Sequence, residues 1–253
     1  MDGCDAIGAV KLAGIHRGVT NAARSADFFG WLLGVVPEQT ADGFSVACSN
    51  GQLLLHEDVS TPLGIELCAS SKPFRGRDSD GVPVFAACDG EPAVASTPPA
   101  GCVALDHVRL NCADLPAAVD FYRRLGFVLT WSGCDEACVE GVHEEPMAGA
   151  DWVHVSGSDG YVSLSQADWQ DYGAHSTASG PPRFVHIGLA VRELASIAAR
   201  LQSAGISCLR APASPIGDRL YLNDPDGDSS LGTNVELTEY EPDAARSGKY
   251  ATT

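Results

Sequence analysis

The chain has 253 residues, of which 45% are hydrophobic and 19% are charged, and its formal net charge is −17. This composition is typical of a globular protein, and it excludes a disordered chain. Nucleic-acid binding is not expected, because affinity for phosphate backbones depends on Lys and Arg, and only 16 such residues are present.

Targeting signals and cysteine patterns also limit the possibilities. The first residues lack a basic segment followed by an apolar one, and no apolar run reaches the roughly 18 residues needed to cross a bilayer. We therefore expect a cytoplasmic protein with no membrane partner. The nine cysteines are scattered without a CxxC spacing, which argues against a disulfide framework and a structural zinc site.

The chain opens with a poor copy of a repeat that returns twice. A strand pattern, KLAGIHRGV, precedes a helical pattern, AARSADFFGWLLG, and three strand patterns follow: FSVACS, QLLLHED and GIELCAS. Residues 1–103 are thus predicted to hold a degenerate unit plus a linker. The linker begins near residue 71, and its apolar stretch VPVFAAC leaves open a decayed fragment of a fourth unit.

Two better copies follow in a domain predicted at 104–242, and a tail at 243–253 ends the chain. The first copy spans 104–167 and the second spans 183–240, each in the order strand, helix, three strands. The DPDG sequence at 224–227 predicts a turn before the last strand. The pattern predicts an α+β fold built from repeated βαβββ units.

Three polar residues lie in the middle of predicted strands of these two copies: His107, His186 and Glu236. Two imidazoles and one carboxylate form the ligand set of open mononuclear metal sites, including those of Fe(II) oxygenases. The sequence therefore predicts that this triad binds one divalent metal ion.

The N-terminal copy lacks this set. Aligning ADFF with VDFY places Gly14 where His107 stands, so the first ligand is missing. Glu66, in GIELC, has a context similar to that of Glu236 but no histidine partner. We expect a vacant packing unit, or alternatively a lid over the pocket. His16, His56 and His143 have no supporting partner in the sequence and are interpreted as structural.

The segments LDHVRLNCADLPAAVDFYRRLGF, FVHIGLAV and LYLNDPDGDSSLGTNVEL resemble the vicinal oxygen chelate superfamily, which includes glyoxalase I, extradiol dioxygenases, epimerases and bleomycin-resistance proteins. The resemblance covers 104–240 well and 8–70 weakly. It implies that the two better units pair into an open barrel around one metal. It also implies ligands on the first strand of each paired unit and on the last strand of the second, where His107, His186 and Glu236 stand.

The number of ligands indicates the reaction class. Glyoxalase-like members of the superfamily take a fourth ligand from the last strand of the first paired unit, and Ser163 stands there. Three strong ligands leave room for substrate and O₂ together, which favours an Fe(II) dioxygenase or oxygenase of a small oxygen-bearing substrate, aromatic substrates included. A redox-neutral lyase, isomerase or epimerase with Mn, Ni, Co or Zn stays open, as do a drug-binding protein similar to the bleomycin-resistance proteins and a homodimeric assembly.

Three further residues are candidates for contact with the substrate. Arg109 should face the same side as His107, because a strand repeats its facing every two residues, and it could neutralise an anionic group. Tyr221 matches a tyrosine that hydrogen-bonds the substrate in the extradiol enzymes. His154 is the first candidate for an acid or base, and His175 is the second.

Two positions depart from the extradiol pattern. Tyr161 stands where those enzymes carry a base histidine, and their second conserved histidine falls near Pro212. The departures argue against ring cleavage of a catechol by the usual mechanism. Another oxidation at the same iron is left open.

Overall fold

The computed structural model describes residues 10–58, 64–68, 74–87, 102–134, 137–166, 183–211, 218–226 and 234–239. These residues form two β-sheets and three helices. The helices are α1 (Ala22–Leu33), α2 (Leu115–Arg124) and α3 (Leu194–Ser203). None of them is long and apolar enough to span a membrane, as far as the described ranges go.

The first sheet has seven strands: β1 (Lys11–Gly18), β2 (Glu38–Thr40), β3 (Gly43–Ala47), β4 (Gln52–His56), β5 (Gly64–Cys68), β6 (Phe74–Arg77) and β7 (Pro83–Ala87). The second sheet has nine: β8 (Cys102–Cys112), β9 (Val128–Gly133), β10 (Cys138–His143), β11 (Trp152–Ser156), β12 (Tyr161–Gln166), β13 (Arg183–Val191), β14 (Leu209–Arg210), β15 (Arg219–Leu222) and β16 (Val235–Glu239).

The helices begin and end at residues whose chemistry explains the boundaries. The side chain of Asn21 accepts the N–H of Arg24 at the start of α1, and Gly34 ends that helix in a left-handed conformation with φ of 71°. The side chain of Asp114 accepts the N–H of Ala117 at the start of α2. All three helices lie within the segments where the sequence predicts them.

The strand order confirms the predicted α+β fold of repeated βαβββ units. In each unit the first strand pairs in parallel with the last, as β1 does with β4, β8 with β12, and β13 with β16. The other strands extend outward from the last one. The antiparallel pair β8 and β13 joins the two better copies into one open nine-stranded sheet. The hairpin strand β10 is an addition that the sequence analysis missed.

The N-terminal sheet corrects one assignment. The sequence predicts GIELC as the last strand of the first unit, but that place belongs to β4. Strand β5, which is GIELC, pairs antiparallel with β1 just as β13 pairs with β8. Strand β7 then pairs in parallel with β5, and β6 pairs with β7. Strands β5 to β7 therefore repeat the second better copy in shortened form, and residues 74–87 of the expected linker form two of these strands.

The turn between β15 and β16 packs against the start of helix α1. The hydroxyl of Ser25 donates to Asp224 at 2.7 Å, and the hydroxyl of Thr20 donates to Asp226 at 2.9 Å. The guanidinium of Arg24 also bonds Asp226 through two nitrogens. These contacts hold the two sheets together beside a shared apolar core.

Candidate metal centre

The three predicted ligands lie on three neighbouring strands. His107 is on β8, His186 on β13 and Glu236 on β16, and these strands are adjacent in the order β8, β13, β16. Gly188 on the central strand pairs with His107 on one side and with Glu236 on the other. Residues that are distant in the chain are therefore brought together by strand pairing.

The side chains converge through three atoms. Nε2 of His107 lies 3.0 Å from Nε2 of His186, which lies 2.9 Å from Oε2 of Glu236. Nε2 of His107 is 3.7 Å from the same oxygen. Two ligands at right angles, each about 2.1 Å from an ion, are about 3.0 Å apart. The spacing therefore fits three ligands on one face of a metal ion.

A carboxylate next to His107 sets which of its nitrogens faces the centre. Nδ1 of His107 donates to Oδ2 of Asp106 over 2.9 Å, which leaves Nε2 as the nitrogen that faces the centre. Neighbouring side chains of a strand normally point to opposite faces, but Asp106 is the extra residue of a β-bulge opposite Gly188 and Leu189. A carboxylate behind a histidine ligand is a common feature of metal sites, because it orients the ring.

The absence of a side chain at Gly188 leaves room for the imidazole of His107. A Cβ atom placed on Gly188 would lie 2.1 Å from Nδ1 and 2.2 Å from Cε1 of His107. The imidazole thus rests on the backbone of β13, and a residue with any side chain at 188 must push it away.

The triad is buried, and His186 and Glu236 have the charge states that a metal requires. His107, His186 and Glu236 are at most 3% exposed. Burial lowers the pKa of His186 to about 4, so this imidazole is neutral at pH 7. Burial by itself raises the pKa of Glu236, but the two histidines and Arg219 bring it well below its usual range. A neutral imidazole and an ionised carboxylate are the ligand forms of these groups.

Arg219 and Arg109 bring positive charge to the site. Nη1 of Arg219 lies 3.9 Å from Oε1 of Glu236, the oxygen that does not face the histidines. Arg109 is 3% exposed and pairs with His186 across the strands. After burial and the effect of His107, the charge of Arg109 also lowers the pKa of His154.

Ser163 stands where a fourth ligand is expected. It pairs with Arg109, two residues after His107, just as Glu236 pairs with Gly188, two residues after His186. The strand registers thus make Ser163 the counterpart of Glu236 in the first better copy.

The other sequence candidates lie around the triad. The fully buried ring of Tyr221 is 5.9 Å from that of His186, and Tyr221 pairs with Glu236 on the next strand. The ring of Tyr161 lies between His107 and His154, with its centroid 4.5 Å from each. The ring of Tyr161 therefore separates His154 from the triad residue His107. His175 and the position near Pro212 fall outside the described residues.

The sequence analysis missed three residues of this centre: Asp106, Gly188 and Arg219. Asp106 directly precedes a ligand, and Arg219 shares its strand face with Tyr221, so both carried a signal that could have been followed. The role of Gly188 depends on how β8 and β13 pair, and nothing local in the sequence indicates it.

Comparison with known proteins supports the superfamily resemblance. Residues 104–228 match the model of the Glyoxalase/Bleomycin resistance protein/Dioxygenase superfamily. No curated protein sequence matches the chain.

Solved structures share the fold over most of the chain. A catechol 2,3-dioxygenase is 14% identical with a TM-score of 0.67, and the match covers 92% of this chain and 89% of that one. A Mn(II)-bound glyoxalase from Novosphingobium aromaticivorans is 16% identical with a TM-score of 0.63, covering 92% and 82%. A 2,2',3-trihydroxybiphenyl 1,2-dioxygenase from Sphingomonas wittichii is 12% identical with a TM-score of 0.62, covering 92% and 91%. These likenesses establish the fold, which dioxygenases and a glyoxalase share.

Proposed function

We propose that this chain, whose residues 104–228 belong to the glyoxalase/bleomycin resistance protein/dioxygenase superfamily, is an Fe(II)-dependent oxygenase of a small oxygen-bearing substrate. His107, His186 and Glu236 are the proposed ligands. The observation that carries the proposal is the convergence of their three ligand atoms within 3.7 Å, with Ser163 at the counterpart of Glu236.

The charges and lone pairs at the centre favour a divalent cation. If the lone pairs of both Nε2 atoms are turned inward, these nitrogens and the carboxylate oxygen of Glu236 would repel one another unless a cation lay between them. The hydrogen bond of Asp106 to Nδ1 of His107 holds Nε2 in the ligand orientation. A bound Fe(II) would supply a site where O₂ and a chelated substrate react side by side.

The surrounding side chains would bind and orient the substrate. The guanidinium of Arg109 suits a carboxylate or a phenolate oxygen of the substrate, because its planar array of N–H donors matches the geometry of such oxygens. The phenol of Tyr221 can donate a hydrogen bond to a substrate oxygen. His154, with its lowered pKa, is neutral at pH 7 and can accept a proton.

The test is metal analysis of anaerobically purified protein, combined with measurement of O₂ uptake across a panel of catechols, phenols and hydroxy acids. We expect about one iron per chain and O₂ uptake that stops when Fe(II) is oxidised or chelated. Ser163→Glu should close a coordination position and suppress O₂ uptake while metal stays bound. Ser163→Ala, the matched control, adds no ligand and should retain uptake.

A redox-neutral reaction is the second candidate. It is favoured by Tyr161, which packs on His107 at the position where extradiol enzymes carry a base histidine. Under this alternative a lyase, isomerase or epimerase would use Mn, Ni, Co or Zn to stabilise an enolate. Anaerobic turnover with one of these metals, and none with Fe(II) and O₂, would replace the oxygenase proposal by this one.

A further inference from the structure

The N-terminal sheet holds a structural counterpart of the metal centre. Strand β1 pairs with β5 in the register in which β8 pairs with β13, and both pairs contain the same bulge, at Ala13 and at Asp106. Strand β7 pairs with β5 as β16 pairs with β13. The counterparts of His107, His186 and Glu236 are Gly14, Gly64 and Phe85.

These replacements remove the metal ligands and leave a cavity. The cavity has a volume of about 480 Å³, and Gly64 and Phe85 line it with Pro83. This size lies within the range of small-ligand pockets, about 300–1,000 Å³. The N-terminal sheet thus contains a pocket whose lining includes His16, His56, Arg75 and Arg77.

Two histidines in the cavity wall, for which the sequence alone shows no supporting partner, are in polar contact with each other, and one of them also contacts Glu66. Nδ1 of His16 lies 2.9 Å from Nε2 of His56, and Nε2 of His16 lies 3.0 Å from Oε1 of Glu66. The hydrogen bond from His16 holds the pKa of Glu66 below its usual value, so the carboxylate is ionised and accepts. Nε2 of His16 thus faces the carboxylate of Glu66, and Nδ1 of His16 faces His56.

Two arginines add positive charge to the same cavity. Arg75 lies 5.1 Å above the ring of Phe85, a cation–π distance, and it lines the cavity with Arg77. Both side chains are exposed, and Nη1 of Arg77 also donates to the carbonyl oxygen of Gly81. Two guanidiniums in the lining of a cavity with an aromatic wall suit a flat ligand with a negative group.

We propose that the cavity lined by His16, His56, Arg75, Arg77 and Phe85 is a second small-molecule site that binds a planar aromatic carboxylate. The ring would pack against Phe85 and Pro83, and the carboxylate would pair with the arginines. The site is separate from the metal centre and does not depend on the function proposed for it.

The test measures binding of benzoate to the full chain by isothermal titration calorimetry, with benzamide and acetate as neutral and non-aromatic comparisons. Benzoate should bind at least about tenfold more tightly than either, since hydrogen bonds to charged groups and ring burial both contribute. Benzoate should also shift the imidazole NMR signals of His16 and His56.

Variants locate the binding. Arg75→Ala and Arg77→Ala change exposed residues and should each raise the Kd of benzoate about tenfold or more. Arg124→Ala removes an exposed arginine that does not line the cavity and should leave Kd unchanged. His186→Ala, at the metal centre, should also leave it unchanged.

Several results would overturn the proposal. They are no benzoate binding, equal binding of benzamide, unchanged Kd in both Arg75→Ala and Arg77→Ala, or loss of binding in His186→Ala. The last result would assign benzoate to the metal centre. Failure of the oxygenase assay does not bear on any of these measurements.

Discussion

Ala13 in the first sheet and Asp106 in the second are the extra residues of equivalent bulges, but only Asp106 has a carboxylate that accepts a hydrogen bond from the next side chain. The next residue is Gly14 in one sheet and His107 in the other. Gly14 on β1 pairs with Glu66 on β5, and His107 on β8 pairs with Gly188 on β13. The glycine is therefore on the first strand of the pair in one sheet and on the second strand in the other. One backbone arrangement thus supports a candidate metal triad in one sheet and a cavity with a histidine pair in the other.

The residues at the three ligand positions, and not the sheet around them, therefore determine the chemistry of each site. Both sheets bring three strand positions together by the same pairing. The chemistry changes when two histidines and a glutamate are replaced by two glycines and a phenylalanine, because a metal needs lone pairs and a flat ligand needs space. The following predictions test this difference, beginning with the largest expected effect.

Removing a ligand should abolish metal binding in the second sheet. We expect Glu236→Ala or His186→Ala to weaken metal affinity by more than about 100-fold, since loss of an outer-shell partner alone costs 10–100-fold. Metal content after dialysis and the circular dichroism spectrum are the measurements. Glu66→Ala, a carboxylate of the first sheet, is the matched control and should keep full metal content. Full occupancy in Glu236→Ala or His186→Ala would refute the assignment of the ligands.

Adding one methyl group at Gly188 should disturb the centre without removing a ligand. A Cβ there would overlap His107 at 2.1 Å, so Gly188→Ala should turn this imidazole and reduce metal affinity about tenfold or more. Gly14→Ala is the matched control: its Cβ meets a carboxylate oxygen of Glu66 at 2.8 Å, which a flexible side chain can relieve. Competition with a metal-binding dye would measure both variants, and an equal loss in the two would contradict the role of Gly188.

Asp106→Asn should have a smaller effect. The amide of Asn can still accept from Nδ1 of His107, but it lacks the negative charge that strengthens the histidine as a ligand. We expect a roughly tenfold weaker metal affinity with the fold unchanged, measured with the same dye. Asp106→Ala gives the bulge the alanine that the first sheet has. This variant should bind metal more weakly than Asp106→Asn. The reverse order would show that Asp106 does not orient the ring.

The smallest effect concerns Glu66, and it depends on pH. The folded-state pKa of Glu66 lies below its unfolded value, so the carboxylate stabilises the fold above about pH 4.3, and this contribution is lost as the pH falls through the folded-state pKa. Glu66→Gln should lower the free energy of unfolding at pH 7 by less than about 1 kcal/mol, because the side chain is partly exposed. Urea unfolding at pH 7 and pH 3 should show the difference shrinking at low pH. A constant difference would contradict the stabilising contact of Glu66 with His16.

The sequence alone predicts the repeat and the residue types of the triad. It predicts the strand order of the first sheet less well. Helix and strand periodicities are local, so α1, α2 and α3 and the strands that carry His107, His186 and Glu236 were predicted close to where they lie. GIELC was assigned to the wrong place in its unit. The pattern of a short apolar strand does not reveal which neighbour it pairs with.

The repeat and the candidate ligands were thus determined by the sequence alone, because periodicity and residue type are properties of short segments. Only the tertiary structure decided the bulge at Asp106, the open backbone at Gly188 and the contact of His16 with His56 and Glu66. Each of these depends on strand register, which is set by pairing between residues 38 or more positions apart in the chain. A shift of one residue in that register would turn every side chain of a strand to the other face.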